Sequence, residues 1–562
     1  MSKPNILVIL TDDQGWGDLS VHGNTNLDTP HVDSLARDGA LFDRFYVCPV
    51  CAPTRAEFLT GRFHLRSGVH GVSTGAERLN LDETTIAETF KAGGYATAAF
   101  GKWHNGTQHP YHPNARGFDE FFGFCSGHWG HYFDTEADHN GELTRNKGYL
   151  PDECTERAMN FMAENVSKDQ LFFCYVPYNI PHTPFQVPDR FYEKFKNKPL
   201  EMLATNPEQD DKDRTRAALA LCENIDWNVG RLLEKVEALG IAEDTIVFYF
   251  GDNGPNGARW NGGMKGTKGS TDEGGVRVPG LMRWKGHIPP GTVVEEISGA
   301  IDLLPTLADM AGIDLIGDKP LDGRSVKPLL LDEEVAWEDR VFLSHQRGQV
   351  SVRNQRFRLD VEGKLYDMPA DAGQTTDVAG KHPEAHAELS AAVAKFKGEV
   401  LPVDDDRPFA VGYWKSTRLP ARDGVAHGGV ERSAHAPNCS YFTHWTTVDD
   451  RMTWDIEVGT SGVYEASVHY TCPAEDLGAT VELEFNGAKV QGRVAAPHDP
   501  PLVGAEEDLY PRKGESLVKD FIPLVLGDVH LDAGRGTLTL RALDVPGAQV
   551  MDVRRVVLTL GE

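Results

Sequence analysis

Continuous apolar runs that stop abruptly at charged or polar residues organise the first half of the chain. Residues 4–10 (PNILVIL) end at Thr11-Asp12-Asp13, and residues 95–100 (YATAAF) end at Gly101-Lys102-Trp103-His104. Residues 171–176 (LFFCYV) lead into Pro177-Tyr178-Asn179-Ile180-Pro181-His182, and residues 245–250 (TIVFYF) end at Gly251-Asp252-Asn253-Gly254. Such runs are the pattern of strands buried on both faces, which belong to parallel sheets covered by helices. One covering helix is predicted over residues 217–240, where Leu221, Ile225, Val229, Leu232, Leu233 and Val236 recur at helical spacing and Gly240 supplies a stop. Asp226 in that stretch is expected to be solvated or structural rather than catalytic. The predicted fold class is α/β, a mostly parallel sheet flanked by helices.

The pattern changes twice further on. Residues 341–344, 350–353, 357–360 and 364–367 are short strand-like pieces, followed by a helical stretch over 383–400 and a polar linker over 401–408. From 409 onward helical periodicity nearly vanishes, and alternating segments at 462–470, 480–485, 537–543 and 553–560, with Asn486-Gly487 as a hairpin turn, predict a β-sandwich. Three regions are therefore expected: a catalytic core over 1–340, a small antiparallel subdomain over 341–400 and an accessory sandwich over 409–562. Tyr413, Trp414, Tyr441, Trp445 and Trp454 are candidates for stacking on sugar rings, with core packing the more ordinary use of such residues.

Open α/β sheets place their sites beyond the carboxyl ends of the strands, so the four polar strand ends are expected to meet in one pocket. Asp12, Asp13, Asp252 and Asn253 offer hard oxygen ligands of the kind calcium and magnesium prefer. Taken singly, each pair is also an ordinary turn signal. Cys51-Ala52-Pro53-Thr54-Arg55, continuing to Leu59-Thr60-Gly61-Arg62, reads by itself as a buried cysteine opening a short helix.

Together these blocks resemble the formylglycine-dependent (type I) sulfatases of the alkaline-phosphatase-like superfamily. The resemblance runs from about residue 4 to about residue 400. It is carried by residues 5–17 (NILVILTDDQGWG), the C-x-P-x-R and L-T-G-R of the Cys51 block, residues 101–104 (GKWH), 117–123 (GFDEFFG), 181–184 (PHTP), 251–254 (GDNG) and 268–279 (KGSTDEGGVRVP). Gly251 and Asn105 depart from the family's usual serine and leucine at positions that bear no ligand.

The resemblance implies that Cys51 is oxidised by a formylglycine-generating enzyme to 3-oxoalanine (formylglycine), whose hydrate is the nucleophile. It further implies that Asp12, Asp13, Asp252, Asn253 and the modified Cys51 hold one divalent cation, calcium ahead of magnesium. Arg55 would support the hydrate, Lys102, His182 and Lys268 would grip sulfate oxygens, and His104 would take the proton that lets sulfate depart. The expected substrate is an aryl or carbohydrate sulfate monoester. A phosphonate monoester or phosphodiester hydrolase on the same scaffold is the close alternative, and a non-catalytic binder of sulfated glycans is the distant one. Candidates for the leaving-group side are His70, His128, Trp129, His131, Tyr132, Arg259 and Trp260.

Composition narrows the partners. Among 562 residues, 84 acidic side chains oppose 56 basic ones for a formal net charge of −28, which disfavours nucleic acid and requires a local positive site for an anionic substrate. Eight cysteines are too few for a disulfide framework, and the Cys48/Cys51 pair lacks a second pair at zinc-finger spacing. No transmembrane run occurs, and no secretory leader is visible, so the expectation is a cytoplasmic protein, or a periplasmic or secreted one if a leader has been removed. Nothing in the pattern fixes the oligomeric state. Because every candidate residue precedes 409, the sandwich is expected to be dispensable for turnover of a small ester.

Overall fold

A computed structural model describes residues 3–333, 336–401 and 406–561. Its centre is a ten-stranded sheet. Five neighbouring strands run parallel, in the order Thr245–Gly251, Asn5–Thr11, Phe172–Pro177, Ala96–Lys102 and Glu120–Phe124. Gly280–Trp284 adds antiparallel on one side and Glu136–His139 on the other. All residues of Asn5–Thr11 are buried, because helices cover both faces. At about 1.5–3 kcal/mol for each fully buried Ile, Leu or Val, this strand alone strongly favours the central position.

The helix expected from residue 217 begins earlier, as Lys212–Ala238, with the Asp211 carboxylate accepting from Arg214 N–H at its start. Asp226 proves structural rather than solvated. It is buried and accepts from the backbone N–H groups of His31 and Val32 at 2.9 and 2.8 Å, capping the helix Pro30–Arg37.

The short strand pieces form a four-stranded antiparallel sheet of Phe342–Gln346, Gln349–Arg353, Phe357–Leu359 and Leu365–Asp367, beside the helix Pro383–Val400. Of the expected linker 401–408, residues 402–405 lie outside the described residues. Beyond it two six-stranded sheets enclose a separate core that includes Trp445 and Trp454. Asn486 and Gly487 both adopt positive φ, 48° and 92°, as a tight two-residue hairpin turn requires. Burial separates the aromatic candidates: Tyr441, Trp445 and Trp454 are buried, whereas Tyr413 and Trp414 are exposed.

Candidate active site

Three parallel strands deliver the acidic residues and one of the lysines. Asn5–Thr11 ends at Asp12-Asp13, Thr245–Gly251 ends at Asp252-Asn253, and Ala96–Lys102 ends on Lys102 itself. Phe172–Pro177 leads to His182 five residues later. Cys51 opens the helix Cys51–Thr60, every residue of which is buried. Asp13 and His104 have φ of 70° and 69°, a left-handed conformation that costs a non-glycine residue on the order of 1 kcal/mol or more and that concentrates at functional sites.

The side chains form one connected buried cage. Lys102 Nζ donates to Asp12 Oδ2 at 2.7 Å, and Lys268 Nζ to Asp13 Oδ1 at 2.6 Å. Arg55 donates to Asp252 Oδ2 at 2.8 Å and to the Lys102 carbonyl at 2.7 Å. Asn253 Nδ2 donates to Asp13 Oδ1 at 2.8 Å, and His182 Nε2 lies 3.7 Å from Asp13 Oδ2. Cys51 Sγ and carboxylate oxygens of Asp12 and Asp252 lie within 4.8 Å of one another. Asp12 Oδ1, Asp13 Oδ2 and Asn253 Oδ1 are buried and have no hydrogen-bond partner. Three orphaned buried oxygens in one cage are costly unless a cation takes them up, and their hard-donor chemistry fits calcium or magnesium.

Electrostatics sort the groups. Burial alone would push Asp12 up, but Lys102, followed by His182, Arg55 and Lys268, holds it well below the usual carboxylate range. Burial, reinforced by Asp12, pushes Asp252 up to about 7. Burial also raises the Cys51 thiol, so an unmodified cysteine here is a poor nucleophile. His104 is pushed well below its ordinary value by burial and then by Lys102, and so is neutral. Its Nε2 lies 2.8 Å from the Val72 carbonyl, which fixes the N–H there and leaves Nδ1, buried and unpartnered, as the basic nitrogen.

The ten residues singled out from the sequence thus come together. The leaving-group candidates divide. His128 stacks on His182 with ring centroids 5.8 Å apart, and burial followed by His182 lowers it to about 3. Arg259 is instead committed to Asp18, at 2.5 Å, and to the Asp13 carbonyl. Tyr132 is buried and donates to the Thr183 carbonyl at 3.0 Å. Trp129 stacks on Phe124, His131 lies 3.6 Å from Glu507, Trp260 packs near Trp16, and His70 Nδ1 lies 3.2 Å from the Gly68 carbonyl.

Sequence reasoning missed the sandwich's share of the site. Glu515 accepts from Thr183 Oγ at 2.7 Å, beside His182. Burial would raise Glu515, but the Thr183 bond, then His128 and His182, bring it down to about 2. Cys439 Sγ lies 3.1 Å from the His128 carbonyl, and Ser126 Oγ donates to the Asn438 carbonyl at 3.1 Å. A β-carbon on Gly127 would fall 2.5 Å from Asn438 Nδ2 and 2.6 Å from His104 Nε2, so Asn438 reaches the wall that holds His104. No local signal marks these residues, which lie more than 300 positions from their partners.

Comparison with known proteins decides the family. The family model described as "Sulfatase" matches residues 4–313, more than half of the chain. The chain belongs to the sulfatase family. A second model, "N-sulphoglucosamine sulphohydrolase, C-terminal", matches residues 268–385 of this sulfatase. It is 31% identical over 363 residues to the N-acetylgalactosamine-6-sulfatase of Mus musculus, covering 58% of this chain and 66% of that one. It is 32% identical over 420 residues to the steryl-sulfatase of Rattus norvegicus, covering 61% and 72%. The sulfatase chain therefore spans just under two thirds of the mouse relative's length. Among solved structures, that of Ps i-CgsB in complex with k-i-k-neocarrahexaose is 30% identical with a TM-score of 0.64, covering 72% of this chain and 94% of that one. No helix among the described residues is long and apolar enough to cross a membrane.

Proposed function

We propose that this sulfatase hydrolyses the sulfate monoester of a carbohydrate, releasing the sugar alcohol and inorganic sulfate. The observation that carries the reading is the position of Cys51 within reach of Asp12 and Asp252, in a cage whose Asp12, Asp13 and Asn253 oxygens lack partners. Asp12, Asp13, Asp252 and Asn253 would hold a calcium- or magnesium-type ion, which when bound neutralises the carboxylates and withdraws charge from the sulfate oxygens. The names of the mouse relative and of the neocarrahexaose complex support a carbohydrate as the alcohol.

Oxidation of Cys51 to formylglycine replaces a reluctant thiol with an aldehyde that hydrates. One hydroxyl of the hydrate, giving up its proton, forms a bond to sulfur as the bond from sulfur to the alcohol oxygen breaks, and that proton ends on the departing alcohol oxygen. The other hydroxyl then gives up its proton, the carbon–oxygen bond to sulfate breaks, and the aldehyde returns. Lys102 and Lys268 place fixed positive charge where the sulfate oxygens gain charge, and Arg55 braces the nucleophile through Asp252. His182 is positioned to carry that proton: burial, followed by Lys268, lowers the ring and the Thr183 carbonyl 2.7 Å away holds the Nδ1–H, so the bare Nε2 takes the proton up and hands it to the departing alcohol oxygen. His104 Nδ1 is the acceptor for the second hydroxyl's proton.

The test is mass spectrometry of the tryptic peptide spanning residues 45–55 from protein co-expressed with a formylglycine-generating enzyme. Turnover of an aryl sulfate should rise in proportion to the aldehyde fraction at Cys51, with Cys48 remaining a thiol. Full activity in protein whose Cys51 is wholly unmodified would defeat the reading.

A further inference from the structure

The nucleophile segment carries a second cluster that the hydrolysis does not use. Cys48 lies three residues before Cys51, Glu57 sits on the helix Cys51–Thr60, and His64 follows the turn at Gly61, whose φ is 66°. All three side chains are more than nine-tenths buried, with residue exposures of 3%, 7% and 3%. Cys48 Sγ, a Glu57 carboxylate oxygen and a ring nitrogen of His64 lie within 4.8 Å of one another.

The imidazole is prepared in a particular way. Nδ1 of His64 lies 2.6 Å from the Val69 carbonyl, so the ring proton sits there, while the buried Nε2 has no partner. A ring fixed by one N–H to a backbone carbonyl, with a bare lone pair on the other nitrogen, is the arrangement of a metal-ligating histidine. Glu57 is oriented as well, since Oε1 accepts from the backbone N–H of His64 at 3.3 Å. Without a cation the cluster is neutral: burial pushes Glu57 up to about 8 and raises the Cys48 thiol, and it lowers His64 to about 3. A buried carboxyl, thiol and imidazole of this kind are what a cation would deprotonate and hold.

We propose that Cys48, Glu57 and His64 form a zinc site, separate from the oxygen cage, that ties the two ends of the Cys51 helix together. One sulfur, one nitrogen and one carboxylate oxygen suit a borderline ion such as zinc and not calcium. Bonds of about 2.0–2.3 Å bring tetrahedral ligands to roughly 3.3–3.8 Å of one another, so closure needs a contraction of at most about 1–1.5 Å from the 4.8 Å within which the three atoms lie. A bound water would complete a tetrahedral shell beside the three protein ligands. The site does not depend on the chemistry assigned to Cys51, because its ligands exclude that residue.

The test is the metal content of the full chain, purified without chelators, equilibrated with micromolar zinc and freed of excess. About one zinc per chain should remain in the wild type, in Cys51→Ala and in Asp12→Asn, and should fall about tenfold or more in Cys48→Ser and His64→Gln. With cobalt in place of zinc, Cys51→Ala should show thiolate-to-cobalt absorption in the near ultraviolet, and the same protein carrying Cys48→Ser should lack it. Wild-type protein that is folded by circular dichroism yet retains less than about a tenth of a zinc per chain overturns the proposal, and so does zinc lost in Asp12→Asn but kept in His64→Gln. If Cys48→Ser or His64→Gln fails to fold, the cobalt spectrum of Cys51→Ala decides: with Cys51 gone from the oxygen cage, retained thiolate absorption supports the Cys48 site and its absence overturns it.

Discussion

Individual residues show how much the surroundings decide a side chain's state. His109 stacks on Trp414 of the sandwich at 4.6 Å, and burial, followed by the neighbouring His112, lowers it to about 4. In the unfolded chain it takes up a proton near pH 6.5, while in the fold it stays neutral down to about 4. Its contribution to stability is therefore intact above pH 6.5 and is lost as pH falls from there through 4. Urea denaturation across that window should give a shallower acid slope for His109→Gln than for the wild type, and identical slopes would refute the assignment. Trp414, one of the candidates for sugar stacking, is thus already engaged by a protein ring.

At the scale of elements, the contact between the sandwich and the catalytic sheet departs furthest from the sequence reading. Arg422 is buried and pairs with Glu77, and its guanidinium also donates to Ser126 Oγ at 3.2 Å and Asn438 Oδ1 at 3.0 Å. Arg418 pairs with Asp138, and Arg555 with Glu136, across the same contact. Removing one partner from a buried pair leaves a desolvated charge, so Arg422→Ala should cost about 3–5 kcal/mol in denaturant unfolding. It should also lower kcat/KM for a small aryl sulfate, because Ser126 and Asn438 border the wall behind His104. Unchanged stability and turnover would restore the view that the sandwich is dispensable. The strands and their polar ends were legible because burial on both faces demands unbroken apolar runs and because a cage of hard oxygens demands aspartates. The docking of the sandwich was not, since Arg422 and Glu77, and Glu515 in its bond with Thr183, lie in stretches of sequence that look like ordinary surface.

For the whole molecule, the contrast between a net charge of −28 and a pocket holding Lys102, Lys268 and Arg55 defines the central question. That local charge suits any singly charged ester, so electrostatics alone do not separate a sulfate monoester from a phosphonate monoester. Membership in the sulfatase family favours the sulfate ester, and the proposed function stands on it. The most direct measurement is kcat/KM for an aryl sulfate and for a phosphonate monoester with the same aryl leaving group, side by side, on protein carrying the Cys51 aldehyde and a divalent cation. The account predicts that the sulfate ester is the better substrate, with the phosphonate still turned over detectably because both transition states load charge onto oxygens in the same cage. A phosphonate preference would contradict it, leaving the Cys51 nucleophile and the oxygen cage in place but assigning them to phosphorus esters.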